Sequence, residues 1–135
     1  MKSNAILRRY FKVALVFIAL SSFCQFLSPF NDVVNCLQTG NVNSLSRYFD
    51  NTVEITLLDK TNSYSKSQAE VILKEFFFQN KVKSFHVIHQ GSSQDGSSFG
   101  IGNLATYNGQ NLRTSFFLRE KGDRMVLQEL RFESN

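Results

Sequence analysis

The sequence predicts an α+β fold, in which helices come first and a curved antiparallel sheet follows. Three observations lead to this prediction. Helical patterns are confined to the part of the chain before residue 81, one of them opens on a capping-box sequence, and alternating apolar residues separated by turn signals fill the rest. Helices gathered ahead of a sheet that needs one face covered are typical of this class.

Residues 1–24 have the pattern of a secretory signal peptide. A positively charged start is followed by an apolar run, residues 13–20, and by small residues up to Cys24. We therefore expect cleavage before Gln25, a single mature domain of residues 25–135, and a periplasmic or secreted location. The alternatives are a cleavage site that uses Ala19 and Ser21 as its small residues, an uncleaved membrane anchor over residues 13–30, and a lipid on Cys24.

The charge of the chain argues against a polyanionic partner. The formal net charge is +4, but four of the 15 Lys and Arg residues lie within the first twelve positions, and all 11 Asp and Glu residues come later. The predicted mature domain is therefore neutral, and we expect no nucleic acid partner. Membrane contact is expected only through the N-terminal segment, if it is retained. Cys24 and Cys36 are the only cysteines, so no disulfide framework is expected, and Cys36 is predicted to be a buried apolar thiol.

Two short helices are predicted at the start of the mature chain. In "SPFNDVVNCLQTG", Ser28 is the expected cap with Pro29 at the first helical position, Asn31 is a later alternative cap, and Gly40 ends the helix. "NVNSLSRYFDN" predicts a second helix capped at Asn43. The alternation in "TVEITLLD" then predicts a strand, and the polar "KTNSYS" is interpreted as a connection.

The long helix and the sheet carry the clearest local signals. Ser65 and Gln68 form a capping box at the start of "SKSQAEVILKEFFFQN", and Asn80 ends this helix. Four strands of a meander are then expected between Asp-Gly, Asn-Gly and Gly-Asp turns: residues 84–90, 97–107, 112–120 and 124–133. Gly100 and Gly102, on one face of the second of these strands, are plausible places for a bend.

With these elements in place, the chain resembles the nuclear transport factor 2-like (cystatin-like, ketosteroid-isomerase-like) superfamily. The segment "GN…LSRYFDNTVEITL" is similar to the entry into that fold. "YSKSQAEVILKEFF", "SFHVIHQGSSQDGSSFGIG" and "LQELRFE" resemble a family of small exported bacterial proteins that is classed as a domain of unknown function. The resemblance covers roughly residues 33–133. It implies a cone-shaped sheet wrapped on one long helix with two short N-terminal helices, and it supplies no catalytic residues.

The resemblance also suggests where an active site would lie if the chain had one. Ketosteroid isomerases of this superfamily use an Asp base, a Tyr and a protonated carboxyl group in the cone between helix and sheet. No carboxylate falls between Asp95 and Glu120, in the centre of the meander, so that constellation is not matched. The resemblance therefore favours a non-catalytic protein over an enzyme.

The two histidines, His86 and His89, are the only residues that suggest chemistry. Three positions apart on a regular strand, they are expected on opposite faces, which excludes convergence on one metal ion. His89 is expected on the same face as Phe85 and Val87, pointing inward, where it is the weak candidate for a general base. Neither a metal site nor a cofactor is expected.

The remaining candidate residues form two sets. A pocket in the cone is predicted from residues with aromatic or polar tips: Phe76, Phe78, His89, Asn103 and Tyr107. A dimer surface on the outer face of the sheet is predicted from alternation in the last two strands: Arg113, Arg119, Leu127, Glu129 and Arg131.

The function expected from the sequence is non-catalytic binding of a small apolar ligand or of a protein partner. One alternative is an isomerase- or hydrolase-type enzyme with His89 in the cone pocket. The other is a dimeric structural module that uses the outer sheet face. A retained ligand would favour the binding protein. Turnover that depends on His89 would favour the enzyme, and an empty dimer would favour the structural module.

Overall fold

The computed structural model of this chain describes residues 28–135, so the predicted signal peptide and its cleavage site lie outside the described residues. The elements, in chain order, are α1 (Pro29–Thr39), α2 (Val42–Leu45), a 3-10 helix (Ser46–Tyr48), β1 (Phe49–Leu57), β2 (Lys60–Ser65), α3 (Lys66–Gln79), β3 (Val82–Ser92), β4 (Ser98–Thr106), β5 (Asn111–Lys121) and β6 (Arg124–Ser134). Among these residues, no helix has the length and apolar character needed to cross a membrane.

The helix ends follow their capping residues. Ser28 caps α1 with its hydroxyl, and α1 ends at Gly40, whose φ of 66° suits a residue without Cβ. The predicted cap of the second helix was wrong by two positions: Asn41, not Asn43, accepts the hydrogen bond from the Ser44 amide, 3.1 Å away. Asn43 lies inside the short helix, with its backbone already helical.

The long helix α3 confirms the capping box. The Ser65 hydroxyl accepts a hydrogen bond from the Gln68 backbone amide, while the Gln68 side chain accepts one from the Ser65 amide. The interpretation of "KTNSYS" as a connection was wrong, since this segment forms the strand β2. β2 pairs antiparallel with β1, and its exposed polar residues are those of a sheet edge.

The six strands form one curved sheet in the order β2-β1-β6-β5-β4-β3. All neighbouring pairs are antiparallel except β1 and β6, which are parallel, so the prediction of a wholly antiparallel sheet was incomplete. β1 enters the sheet beside the last strand, while the predicted meander β3 to β6 forms the other four positions.

The core lies between α3 and the inner face of the sheet. Phe132 packs against Phe76 and Phe77 of α3, with ring centroids 4.8 and 5.5 Å apart. The largest fully buried side chains fill the space around them: Phe49, Phe85, Phe116, Leu37, Leu45, Ile55, Leu73, Leu104, Leu118, Leu127 and Leu130. The interior of the cone is thus occupied by the chain's own aromatic and aliphatic side chains.

Two of the register irregularities in the sheet, one in β3 and one in β6, change which candidate residues reach each face. In β3, Val87 pairs with Gly102 and His89 with Ile101, so Ile88 is the extra residue. In β6, Leu127 pairs with Leu118 and Glu129 with Phe117, so Gln128 is the extra residue. Each bulge reverses the alternation beyond it, and both fall on segments from which candidate residues were predicted.

Candidate functional site

Both histidines lie on the outer face of the sheet. His86 pairs with Asn103 and His89 with Ile101, and these two partners are two positions apart on β4, so they share a face. That face is the outer one. Leu104, the residue after Asn103 on β4, is fully buried in the core, so Asn103 points to the opposite face. The predictions that the histidines face opposite ways and that His89 points inward were wrong. The cause is the bulge at Ile88, which restores a common face after three residues.

The five residues predicted to line a pocket do not gather at one place. Phe76 is a core residue, only 8% exposed, whereas Phe78 is 89% exposed on α3. His89 and Asn103 are exposed on the outer sheet face. Tyr107 is 69% exposed after β4, where its backbone amide donates to the Lys81 carbonyl, 2.9 Å away. An interior cone pocket built from these residues is therefore not formed.

Four of the five residues predicted for the outer surface lie there. Arg113 and Arg119 are exposed on β5, and Glu129 and Arg131 are partly exposed on β6. Leu127 was wrongly assigned, because it is fully buried and pairs with the core residue Leu118. It precedes the bulge in β6, so the alternation that is correct for Glu129 and Arg131 does not extend to it.

Apolar residues that are absent from the predicted dimer surface lie in the middle of the outer face. Phe99 of β4 pairs directly with Phe117 of β5, and Ile101 follows two positions later on the same face of β4. Phe99 is 41% exposed, while Phe117 and Ile101 are partly exposed. The alternation of β5 indicates that Phe117 is on the outer face, since Phe116 before it is a core residue. We call Phe99, Ile101 and Phe117 the outer apolar strip.

Charged side chains of both signs border this strip. Arg131 makes ion pairs with Glu129 on its own strand and, at 3.3 Å, with Glu54 of β1. These three side chains are each about two-fifths exposed, so the ion pairs contribute little to stability. Arg113 and Arg119 carry positive charge on the neighbouring strand. The outer face therefore presents charged side chains of both signs around an apolar centre.

A buried carboxylate at the start of β1 was not predicted from the sequence. Asp50 is 9% exposed, and it accepts hydrogen bonds of 3.0 Å each from the Gln128 amide and the Lys121 ammonium group. These hydrogen bonds, that from Gln128 foremost, lower the pKa of Asp50 to about 2. The carboxylate stays ionised, and each of its oxygens accepts one of these hydrogen bonds. This arrangement suits a structural role in stabilising the bulge of β6.

A second polar cluster lies where α1 meets the 3-10 helix. The Tyr48 hydroxyl donates a hydrogen bond to the Asp32 carboxylate, and burial together with this contact raises the pKa of Tyr48 to about 12. Cys36, one turn along α1, is 8% exposed, which confirms the predicted buried thiol. Burial also raises the pKa of Cys36, so its thiol is held in the unreactive protonated form.

Clefts of moderate size open at the surface. One of about 440 Å³ lies between the end of α3 and the α1–α2 junction, and its walls include Phe77, Phe78, Lys74 and Lys81. Another of about 480 Å³ lies beside Phe30 at the start of α1. Within residues 28–135, no set of three or more His, Cys, Asp and Glu side chains is gathered as a metal site would require.

Comparison with known proteins identifies the family. The model of the domain of unknown function DUF4783 matches residues 30–133, and the chain belongs to this family. A DUF4783 protein from Bacteroides uniformis is 30% identical, with a TM-score of 0.75 over 80% of this chain and 98% of its own. One from Bacteroides fragilis is 34% identical, with a TM-score of 0.71 over 77% of this chain and 96% of its own.

More distant structures establish the fold alone. A protein of the nuclear transport factor 2-like family from Streptomyces avermitilis is 11% identical, with a TM-score of 0.59 over 77% of this chain and 88% of its own. The predicted resemblance and fold class are thus confirmed. A comparison with curated proteins finds no match.

Proposed function

We propose that this chain is an exported, non-catalytic binding module that pairs with a second copy of itself through the outer face of its sheet. The observation that carries the proposal is the outer apolar strip, set between charges of both signs on a face that no helix covers among residues 28–135. Export rests on the signal-peptide pattern of residues 1–24.

The filled interior supports a surface function. Enzymes that use the cone of this fold need a cavity for substrate, whereas here four phenylalanines are fully buried in it: Phe49, Phe85, Phe116 and Phe132. The enzyme alternative placed His89 in that cavity, but His89 lies on the opposite face of the sheet. The interior therefore serves stability, and the outer face is an uncovered surface on which Phe99, Ile101 and Phe117 lie next to one another.

The outer face has the dimensions that a stable pair needs. Six strands spaced about 4.8 Å apart, each some nine residues long, give a face of about 24 by 30 Å, or roughly 700 Å². A standard interface buries about 800 Å² on each partner. The sheet face and its rim therefore offer about the area of a standard interface.

The charge distribution favours a second copy as the partner. A two-fold interface brings the same patch together from both sides, so the patch must be complementary to itself. Glu54 and Glu129 lie on the β1–β6 side of the strip, where both are ion-paired with Arg131. Arg113 and Arg119 lie on β5 on either side of Phe117. Two copies that face each other can bring the carboxylates of one copy near Arg113 or Arg119 of the other, with the apolar strips in contact.

Sedimentation velocity of a charged variant tests this proposal. We expect the wild-type chain to sediment as a dimer and Ile101→Asp to sediment as a monomer, because an uncompensated carboxylate would be buried in the interface. Val71→Asp is the matched control, since Val71 is 65% exposed on α3, away from the sheet. A wild-type monomer, or an Ile101→Asp variant that stays dimeric, would refute the pairing.

A second candidate function is small-ligand binding at the cleft beside α3. Phe78 is 89% exposed at the wall of this 440 Å³ cleft, which is large enough for a small apolar molecule. Titration with the fluorescent apolar probe 8-anilinonaphthalene-1-sulfonate tests it. If the cleft binds small ligands, the fluorescence should saturate, Phe78→Ser should abolish it, and Ile101→Asp should leave it intact. A Phe78→Ser variant that binds the probe as well as the wild type would rule out this second function.

A further inference from the structure

The bulge in β3 creates a pair of histidines with the geometry of a metal chelate. Residues paired with Asn103 and Ile101 lie about 7 Å apart along the strand, because their partners are two positions apart at about 3.4 Å per residue. His86 and His89 are those residues, and both are exposed. Without the bulged Ile88, two residues three positions apart on a strand would point to opposite faces. The extra residue thus turns a divergent spacing into a convergent one.

We propose that His86 and His89 together bind one transition-metal ion, with Cu²⁺ preferred over Ni²⁺ and Zn²⁺. Neutral imidazole is a ligand that suits all three ions, and the Irving–Williams order places Cu²⁺ first among them. Two protein ligands leave the other coordination positions to water, so the site is open. Both histidines belong to one chain, so the site needs no second copy; it goes beyond the proposed pairing and lies at the β3 edge of the same outer face, beside the outer apolar strip.

The surroundings of the pair are compatible with a cation. Asn103, directly opposite His86, and Ile101, directly opposite His89, are both uncharged. Ser115 lies beyond Ile101 on β5. Arg113, which pairs with Asn103, is the positive charge that faces this region, and it stands one strand further away with the Asn103 side chain in between. No other charged side chain occupies the positions paired with these residues on β4.

Calorimetric titration of the untagged chain with CuCl₂ and with ZnCl₂ tests the proposal. We expect one ion per chain, with tighter binding of Cu²⁺. His86→Gln and His89→Gln should each weaken binding about tenfold or more, because a chelate loses the high effective concentration of its second ligand. Absence of binding, or a single variant whose affinity stays within about twofold of the wild type, would overturn the proposal.

A composition-matched variant separates the chelate from general histidine binding. In the double variant His89→Gln, Gln90→His, the imidazole moves to the position paired with Gly100 on the inner side of the sheet. This variant should bind as weakly as His89→Gln alone, and wild-type affinity in it would contradict the proposed geometry. As a measurement free of substitutions, the imidazole NMR signals of both histidines should shift together during zinc addition. A shift confined to one histidine would also contradict the chelate.

Discussion

The Gln128 side-chain amide donates a 3.0 Å hydrogen bond to the Asp50 carboxylate, which joins the bulged residue of β6 to the start of β1. Lys121, from the end of β5, donates to the same carboxylate. One buried acid therefore ties together three strands at the point where the chain first enters the sheet. Because β1 and β6 are parallel neighbours far apart in sequence, this contact fixes a long-range register that no turn can set.

Replacing Asp50 by Asn should remove an acid-sensitive part of the stability. The pKa of Asp50 falls from its ordinary value of 3.8 to about 2 in the folded chain. Its contribution is thus fully present above about pH 4 and is lost as pH falls towards 2. We expect Asp50→Asn to lower the free energy of unfolding by about 1 to 2 kcal/mol at neutral pH. This loss is smaller than the full pKa shift would give, because Lys121 is largely solvated and its ion pair is screened.

Urea unfolding between pH 2 and pH 7 measures this effect. The difference between the wild type and Asp50→Asn should shrink as pH approaches 2. Gln128→Ala, which removes the hydrogen bond with the largest effect on the pKa of Asp50, should show a smaller loss with the same pH trend. A difference between wild type and Asp50→Asn that stays constant over this range would contradict the assignment.

Truncation of Leu127 should test its placement in the core. Leu127 is fully buried, so Leu127→Ala is expected to cost about 2 to 5 kcal/mol through lost burial and the cavity left behind. Val71→Ala, at an exposed helix position, should change stability by no more than about 0.5 kcal/mol. Thermal or urea unfolding of both variants measures the contrast. A Leu127→Ala variant as stable as Val71→Ala would place Leu127 on the outer surface after all.

The close approach of β3 to β4 should make one glycine difficult to replace. A Cβ on Gly102 would lie 2.4 Å from the His86 carbonyl oxygen, which is backbone and cannot turn away. Gly102→Ala is therefore expected to cost about 1 to 3 kcal/mol. At Gly91 the nearest atoms belong to the movable Phe99 ring, so Gly91→Ala should cost less. Equal unfolding midpoints for the two variants would contradict this difference.

Alkaline pH should weaken the contact between α1 and the 3-10 helix. The pKa of Tyr48 is raised from 10.0 to about 12 in the folded chain, so its contribution is complete below about pH 10 and is lost as pH rises towards 12. Tyr48→Phe should lower the unfolding free energy by about 1 kcal/mol at neutral pH and flatten this alkaline loss. Spectrophotometric titration of the phenol supplies the direct check, and ionisation of Tyr48 at its ordinary pKa would contradict the account.

The elements with strong local signals could be predicted from the sequence. Ser65 and Gln68 satisfy each other at the start of α3, and Gly40 ends α1, because caps depend on neighbours only a few residues away. The turns at Gly96, Gly109 and Gly122 follow for the same reason, and all three adopt positive φ. β2 was missed because "KTNSYS" is polar apart from Tyr64, the one residue of this edge strand that is not exposed.

The site residues were harder to predict because faces depend on bulges. His89 and Leu127 were both assigned to the wrong face by applying strict alternation across Ile88 and Gln128. Neither bulged residue is a glycine or a proline, so nothing in the local sequence marks the extra position. The contacts of Asp50 join residues more than seventy positions apart, and periodicity carries no information about such pairs.

Native mass spectrometry of the protein purified from the envelope fraction of its own host tests whether two copies pair through the outer face of the sheet. We expect a dimer whose chains begin at Gln25 and which carries no organic ligand. Ile101→Asp expressed in the same way should give the monomer, while Val71→Asp should give the dimer. A wild-type monomer across micromolar concentrations would contradict pairing through the outer face, and a retained apolar molecule would instead support the cleft beside Phe78.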